Sequence, residues 1–165
     1  MTKPILKLAI VLLIFISIKT SGQTPQLWGL TSTGGIDSTG EGATGTIYKI
    51  NGDGNNFQLL NTFRSEYPGN EPLRATLCDA GNGKFYGLLS MGGLHNLGVL
   101  YEFDPVTEVY KVKFNFDGTN SGAQPAGSLI KASNGKLYGI AQTGGLNGDG
   151  TIFEFNFNTG IFTKK

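Results

Sequence analysis

Two kinds of hydrophobic pattern occur along the chain. Leu8 to Ile18 (LAIVLLIFISI) is an unbroken apolar run of 11 residues without a charge. Beyond it, apolar and aromatic residues come in short runs punctuated by glycine, Asn, Asp and Pro. No window after residue 22 keeps a convincing 3.6-residue period, so helices are not expected there. Short β-branched and aromatic runs between turn residues predict strands. In the best-defined stretch these are Leu73–Asp79, Phe85–Ser90, Val99–Asp104 and Val109–Phe116. Asn82-Gly83 and Asn134-Gly135 fall between the first two strands of successive units, and Asn-Gly favours a type I′ turn. Pro105 and Asn158-Thr159-Gly160 mark the turn before a last strand.

The strand pattern repeats. Leu27-Trp28-Gly29-Leu30, Gly34-Gly35 and Gly45-Thr46-Ile47-Tyr48 form one segment. Phe85-Tyr86-Gly87-Leu88, Gly92-Gly93 and Gly98-Val99-Leu100-Tyr101 form a second. Leu137-Tyr138-Gly139-Ile140, Gly144-Gly145 and Gly150-Thr151-Ile152-Phe153 form a third. The last two are 52 residues apart without a gap, and 10 of 29 positions are identical between Phe85–Lys113 and Leu137–Lys165. The first segment carries five extra residues within Asp37–Ala43. Phe63 and Phe116 each precede a proline, Pro72 and Pro125, by nine residues. Four antiparallel strands repeated at this period describe the blades of a β-propeller. The fold class is therefore all-β, with tandem four-stranded units at approximately 26–71, 72–124 and 125–165. That is about 2.7 units, fewer than the four to eight blades of a typical closed propeller. The last unit breaks off inside a strand, which leads to the expectation of a truncated reading frame or a fragment of a longer one. Glycine has a mechanical reading here. Gly-Gly turns the chain where a side chain could not, glycine after an aromatic lets backbone approach closely, and the aromatics pack blade on blade.

This spacing of aromatic-Gly, Gly-Gly and Gly-[TV]-[IL]-[FY] resembles the GloVer (Gloeo/Verruco) tandem repeat of exported bacterial proteins, over essentially all of residues 23–165. The resemblance implies a propeller-like architecture and an extracellular or cell-surface location. Larger members often carry a separate C-terminal sorting segment, which is not expected within these 165 residues. The resemblance supplies no catalytic residue.

The first 22 residues change the address and the charge. Lys3 and Lys7, the apolar run and the small residues Thr20 and Gly22 describe a secretory signal peptide, cleaved after Gly22. The run is too short to span a bilayer, which takes about 20 residues. No transmembrane segment is expected after cleavage, and no Cys flanks the run for lipid attachment. Loss of Lys3, Lys7 and Lys19 leaves ten basic against twelve acidic residues. Without a Lys/Arg cluster larger than a pair, nucleic acid is not an expected partner. A glycan or a cell-envelope protein is. Cys78 is the only cysteine, so packing and backbone pairing must replace disulfides. Its alternating context reads as a small buried hydrophobe.

Candidate chemistry is sparse. Gly40-Glu41-Gly42-Ala43-Thr44-Gly45 matches the dinucleotide fingerprint by letter, but it leads into a strand, whereas that site needs a helix N-terminus. Asn51, Asp53 and Asn55 are spaced like calcium ligands and are the only metal candidates. The bidentate Glu of such a loop is absent, with Thr62 in its place, and the segment reads as a hairpin turn. His95, the only histidine, reads as a loop residue, and Ser90 lacks a nucleophile elbow around it. Glu102 and Glu154 occupy equivalent places, and recurrence per unit points to a structural role. No catalytic residue and no cofactor is expected. The classes left open are a binding or interaction module, an extracellular polysaccharide hydrolase or lyase, and a non-functional gene fragment.

Overall fold

The computed structural model describes residues 24–35, 44–64 and 69–165. The proposed signal peptide, the insertion Asp37–Ala43 and most of the Gly40–Gly45 motif lie outside the described residues. The chain forms three antiparallel sheets in succession. The first holds β1 (Gln26–Thr31), β2 (Thr46–Asn51) and β3 (Gln58–Thr62). The second holds β4 (Cys78–Asp79), β5 (Phe85–Leu89), β6 (Val99–Asp104) and β7 (Val109–Asn115). The third holds β8 (Ala123–Lys131), β9 (Leu137–Thr143), β10 (Thr151–Asn156) and β11 (Ile161–Lys164). Within each sheet, neighbouring strands follow sequence order, so each is a meander closed by short loops, the form of a propeller blade.

The sheets share more than topology. Gly29 pairs with Tyr48 between β1 and β2, Gly87 with Tyr101 between β5 and β6, and Gly139 with Phe153 between β9 and β10. In every case the ring lies where a Cβ on the glycine would sit. The missing side chain thus makes a seat for the aromatic of the facing strand. A β-bulge follows at the same repeat position, between Ile47 and Tyr48 and between Leu100 and Tyr101.

Strand β6 shows how the sheets stack. Val99, Tyr101 and Phe103 join a core with Ile47 and Phe63 of the first sheet and its exit. Leu100, on the opposite face, joins Leu137, Phe153 and Phe155 of the third sheet. Period-2 alternation therefore feeds two cores from one strand, which explains why β6 is buried on both faces from Val99 to Phe103. The seated rings meet the preceding unit at repeating distances, Phe63–Tyr101 at 5.7 Å and Phe116–Phe153 at 5.4 Å.

Three details depart from expectation. Leu73–Asp79 does not form a full strand, because only Cys78–Asp79 pairs within the sheet. The backbone ahead of it bonds to the next unit instead. Leu73 O accepts from Gly127 N–H at 3.0 Å and Thr76 N–H donates to Ser128 Oγ at 3.0 Å. The Asn-Gly turns are not type I′, since Gly83 and Gly135 have positive φ whereas Asn82 and Asn134 do not. Ala132 N–H donates to Lys136 O at 2.9 Å, closing a longer loop with glycine in the left-handed position. Finally, β8 begins at Ala123, ahead of residue 125.

The Gly-Gly pairs have positive φ in all three units. A Cβ on Gly92 would strike Gly69, and one on Gly144 would strike Gly118. Glycine there admits the linker between sheets, as well as the turn.

Replacing Gly87 by Ala is expected to displace the Tyr101 ring and to lower stability by roughly 1–3 kcal/mol, the usual cost of overpacking. Urea unfolding with an unchanged m-value checks this, and a midpoint equal to that of the parent would refute the seat.

Candidate functional site

The best-organised polar cluster among the described residues occurs twice, one repeat apart. In the second unit the Tyr86 hydroxyl donates to Glu102 Oε2 at 2.6 Å. Lys84 Nζ lies 3.5 Å from Glu102 Oε1, and Lys113 Nζ lies 3.5 Å from Oε2. Asn82 Nδ2 donates to the Tyr86 hydroxyl at 3.3 Å. In the third unit Tyr138 donates to Glu154 Oε2 at 2.7 Å, and Asn134 Nδ2 donates to Tyr138 at 2.8 Å. Lys136 and Lys165 flank Glu154 at 2.5 Å and 2.8 Å. Second strand, third strand, last strand and first hairpin each contribute to this clasp, so it fastens a blade across its width.

The electrostatics agree with a fastening role. Burial pushes the Glu102 carboxyl up, but the Tyr86 hydrogen bond and the Lys113 and Lys84 charges outweigh it and hold the group below its ordinary value. Hydrogen bonds from Lys136, Lys165 and Tyr138 bring Glu154 down to about 2. Burial, with the bond to Glu102, raises Tyr86 to about 12. The shifts favour an ionised carboxylate and a protonated phenol at neutral pH, the charge states in which the phenol donates and the lysines pair.

The first unit fastens itself differently. Trp28 stands in the place of Tyr86, Lys49 in the place of Glu102, and Leu60 in the place of Lys113. Lys49 Nζ lies 5.5 Å from the Trp28 ring centroid and forms a 3.1 Å ion pair with Glu108 of the next unit. A cation–π contact there replaces the carboxylate clasp.

The other candidate residues serve the backbone or stand alone. Ser90 is buried, and its hydroxyl donates to Glu71 O at 3.0 Å. His95 is exposed in the loop between β5 and β6. Asp53 Oδ1 accepts Asn55 N–H at 3.0 Å, which lowers its carboxyl below the ordinary value, while Asn51 O accepts Gly54 N–H at 2.9 Å. These are the bonds of a hairpin turn. Among the described residues, no group of three or more His, Cys, Asp or Glu side chains gathers as a metal site. Cys78 is a free thiol packed against the core, and burial pushes it up. The described residues contain no helix long and apolar enough to cross a membrane.

The sequence does not display the clasp as a unit, although its signal is there. Tyr86/Tyr138, Glu102/Glu154 and Lys113/Lys165 are three of the ten identities between units. Polar identities at fixed spacing on predicted strands mark partners across a sheet. The same edge that carries the Gly-Gly pairs holds two equivalent exposed leucines, Leu94 (72% exposed) and Leu146 (88% exposed).

One buried hydroxyl has no partner among the described residues, that of Tyr101, and the equivalent residue in the third unit is Phe153. Tyr101→Phe is therefore expected to stabilise the chain by about 1 kcal/mol, since it removes an unpaired buried hydroxyl. Tyr86→Phe is expected to cost about 1–2 kcal/mol, because it deprives Glu102 of its shortest hydrogen bond. Chemical denaturation of both variants separates these signs. Glu154 is depressed from 4.5 to about 2 on folding. The stability it contributes is present above about 4.5 and is lost as pH falls through about 2. Asp104 and Asp117, each lowered to about 2, act in the same direction. Urea midpoints measured from pH 6 to pH 2 should fall in that window, and Glu154→Gln should flatten the fall.

No curated protein sequence matches this chain. Among solved structures it is similar to TolB from Acinetobacter baumannii, with 16% identity and a TM-score of 0.47. That likeness covers 82% of this chain and 30% of the TolB chain. The Gloeobacter/Verrucomicrobia repeat model matches residues 17–165, the stretch that contains all three sheets and both clasps. By that match, the chain belongs to the Gloeobacter/Verrucomicrobia repeat family.

Proposed function

We propose that this chain is an exported, cell-surface interaction module that holds a glycan or a cell-envelope protein. The observation that carries this reading is how the polar groups are used. The clasp carboxylates recur once per unit and are tied to lysine and tyrosine. A reaction centre needs a singular, convergent set instead. Leu94 and Leu146 stand exposed at equivalent loop positions, and loops on a rigid scaffold are the usual place for recognition. The basic start and apolar run of the first 22 residues support export.

The purified chain is expected to bind saturably to glycan-array members or to an isolated envelope fraction, with no release of reducing ends from polysaccharides. Leu94→Asp/Leu146→Asp should keep the melting temperature and weaken that binding at least tenfold. Turnover of a polysaccharide would overturn the reading in favour of a hydrolase or lyase, and unchanged binding by the double variant would move the contact away from these loops.

A further inference from the structure

Each internal junction between units contains the same knob and seat. At the first junction Pro72 packs on Gly45, and Glu71 N–H donates to Thr44 O at 3.2 Å. At the second, Pro125 packs on Gly98, and Gln124 N–H donates to Leu97 O at 2.9 Å. Glu71 and Gln124 both have positive φ, 57° and 53°, a conformation uncommon for residues with side chains. Proline follows the seat glycine by 27 residues in both cases. The junction is therefore a specific device: a left-handed Glu or Gln presents its N–H to the carbonyl before the seat glycine, and the proline ring covers the glycine.

Gly150 is the third seat glycine, with φ 90°. Among the described residues its nearest neighbours are the Ala141 and Gln142 carbonyls and not a proline ring, and the equivalent carbonyl is that of Asp149. A groove of about 370 Å³ opens there, lined by Ile140, Ala141, Gln142, Asp149, Gly150 and Ile152 among others. Its apolar walls are exposed where their equivalents are covered. Leu88 and Leu100 are 1% and 0% exposed, whereas Ile140 and Ile152 at the same repeat positions are 51% and 58% exposed. Ile130 extends the same apolar surface.

We infer that the groove at Gly150 is a docking site for the Glu/Gln-Pro segment of a further repeat of this same kind. The Glu or Gln N–H bonds to Asp149 O, the proline covers Gly150, and the strand that follows lies on Ile140 and Ile152. The two filled junctions of the same molecule supply the chemistry of the occupant. The inference does not rest on what the loop edge binds, because its occupant is read from the two filled junctions.

The test uses the full chain, isotopically labelled, and a synthetic peptide with the sequence of Asp117–Lys131. Saturable amide shifts at Gly150, Thr151 and Ile152 are expected. A peptide carrying Ala for Pro125 should bind at least tenfold more weakly, and so should the Ile152→Lys chain, whose dispersed spectrum verifies its fold. Ile140→Lys serves as a second variant with the same expectation. Absence of saturable shifts, equal binding of the alanine peptide, or shifts confined to other surfaces would overturn the inference. So would self-association of the chain through this face that the peptide does not displace, since the occupant would then be the end face of a second copy.

Discussion

The stack depends on an aromatic ring seated on a glycine of the neighbouring strand in each unit, across the β1–β2, β5–β6 and β9–β10 ladders. Tyr48 on Gly29, Tyr101 on Gly87 and Phe153 on Gly139 are the same contact three times. With any other residue in place of glycine, the ring would rise from the sheet and hold the neighbouring sheet away. Seated, the rings Tyr101 and Phe153 meet Phe63 and Phe116, and blades close on one another at packing distance. A fully buried ring contributes about 2–3 kcal/mol of transfer free energy. The ion pairs of the clasp have partly exposed lysines and are screened by solvent, so they contribute less. Cohesion between blades therefore comes from the rings, and the clasp defines how each blade is fastened across its strands.

That division explains how the first unit tolerates Trp28, Lys49 and Leu60 where the other units use Tyr, Glu and Lys. Trp28 still packs against the next unit, 5.3 Å from Phe85 and 6.2 Å from Phe103, much as Tyr86 packs 6.3 Å from Phe155. The apolar contact is retained while the polar fastening changes from hydrogen bond to cation–π. Lys49 also reaches across to Glu108, so here a charge links two units where in the others it links strands of one blade. The Tyr101 hydroxyl shows the same priority, since the seated ring is buried although its oxygen finds no partner.

Stacking of incomplete units has a consequence for the third sheet. A blade of this kind buries both faces only when it has two neighbours, and the second sheet alone has them among the described residues. The third sheet keeps a glycine seat and an apolar face without the proline that covers them elsewhere. Repeat proteins generally resolve such faces by capping or by further units.

The sequence by itself determined the all-β class, the three-fold repetition and the place of most strands, because glycine spacing and period-2 alternation are local and recur. Val99–Asp104 is read correctly for that reason. It also marked Glu102 and Glu154 as structural, by their equivalence. Only the tertiary structure decided the rest. Leu73–Leu77 has the composition of a strand, yet its backbone bonds to the following unit, and no local pattern encodes that choice. Asn82 and Asn134 carry the signature of a tight turn, but their side chains are drawn to tyrosine hydroxyls and to lysine N–H groups. The clasp unites residues 16 and 18 positions apart, and the knobs reach their seats over 27. Such pairings emerge from register and from the packing of one sheet on the next, which a single strand's sequence does not carry.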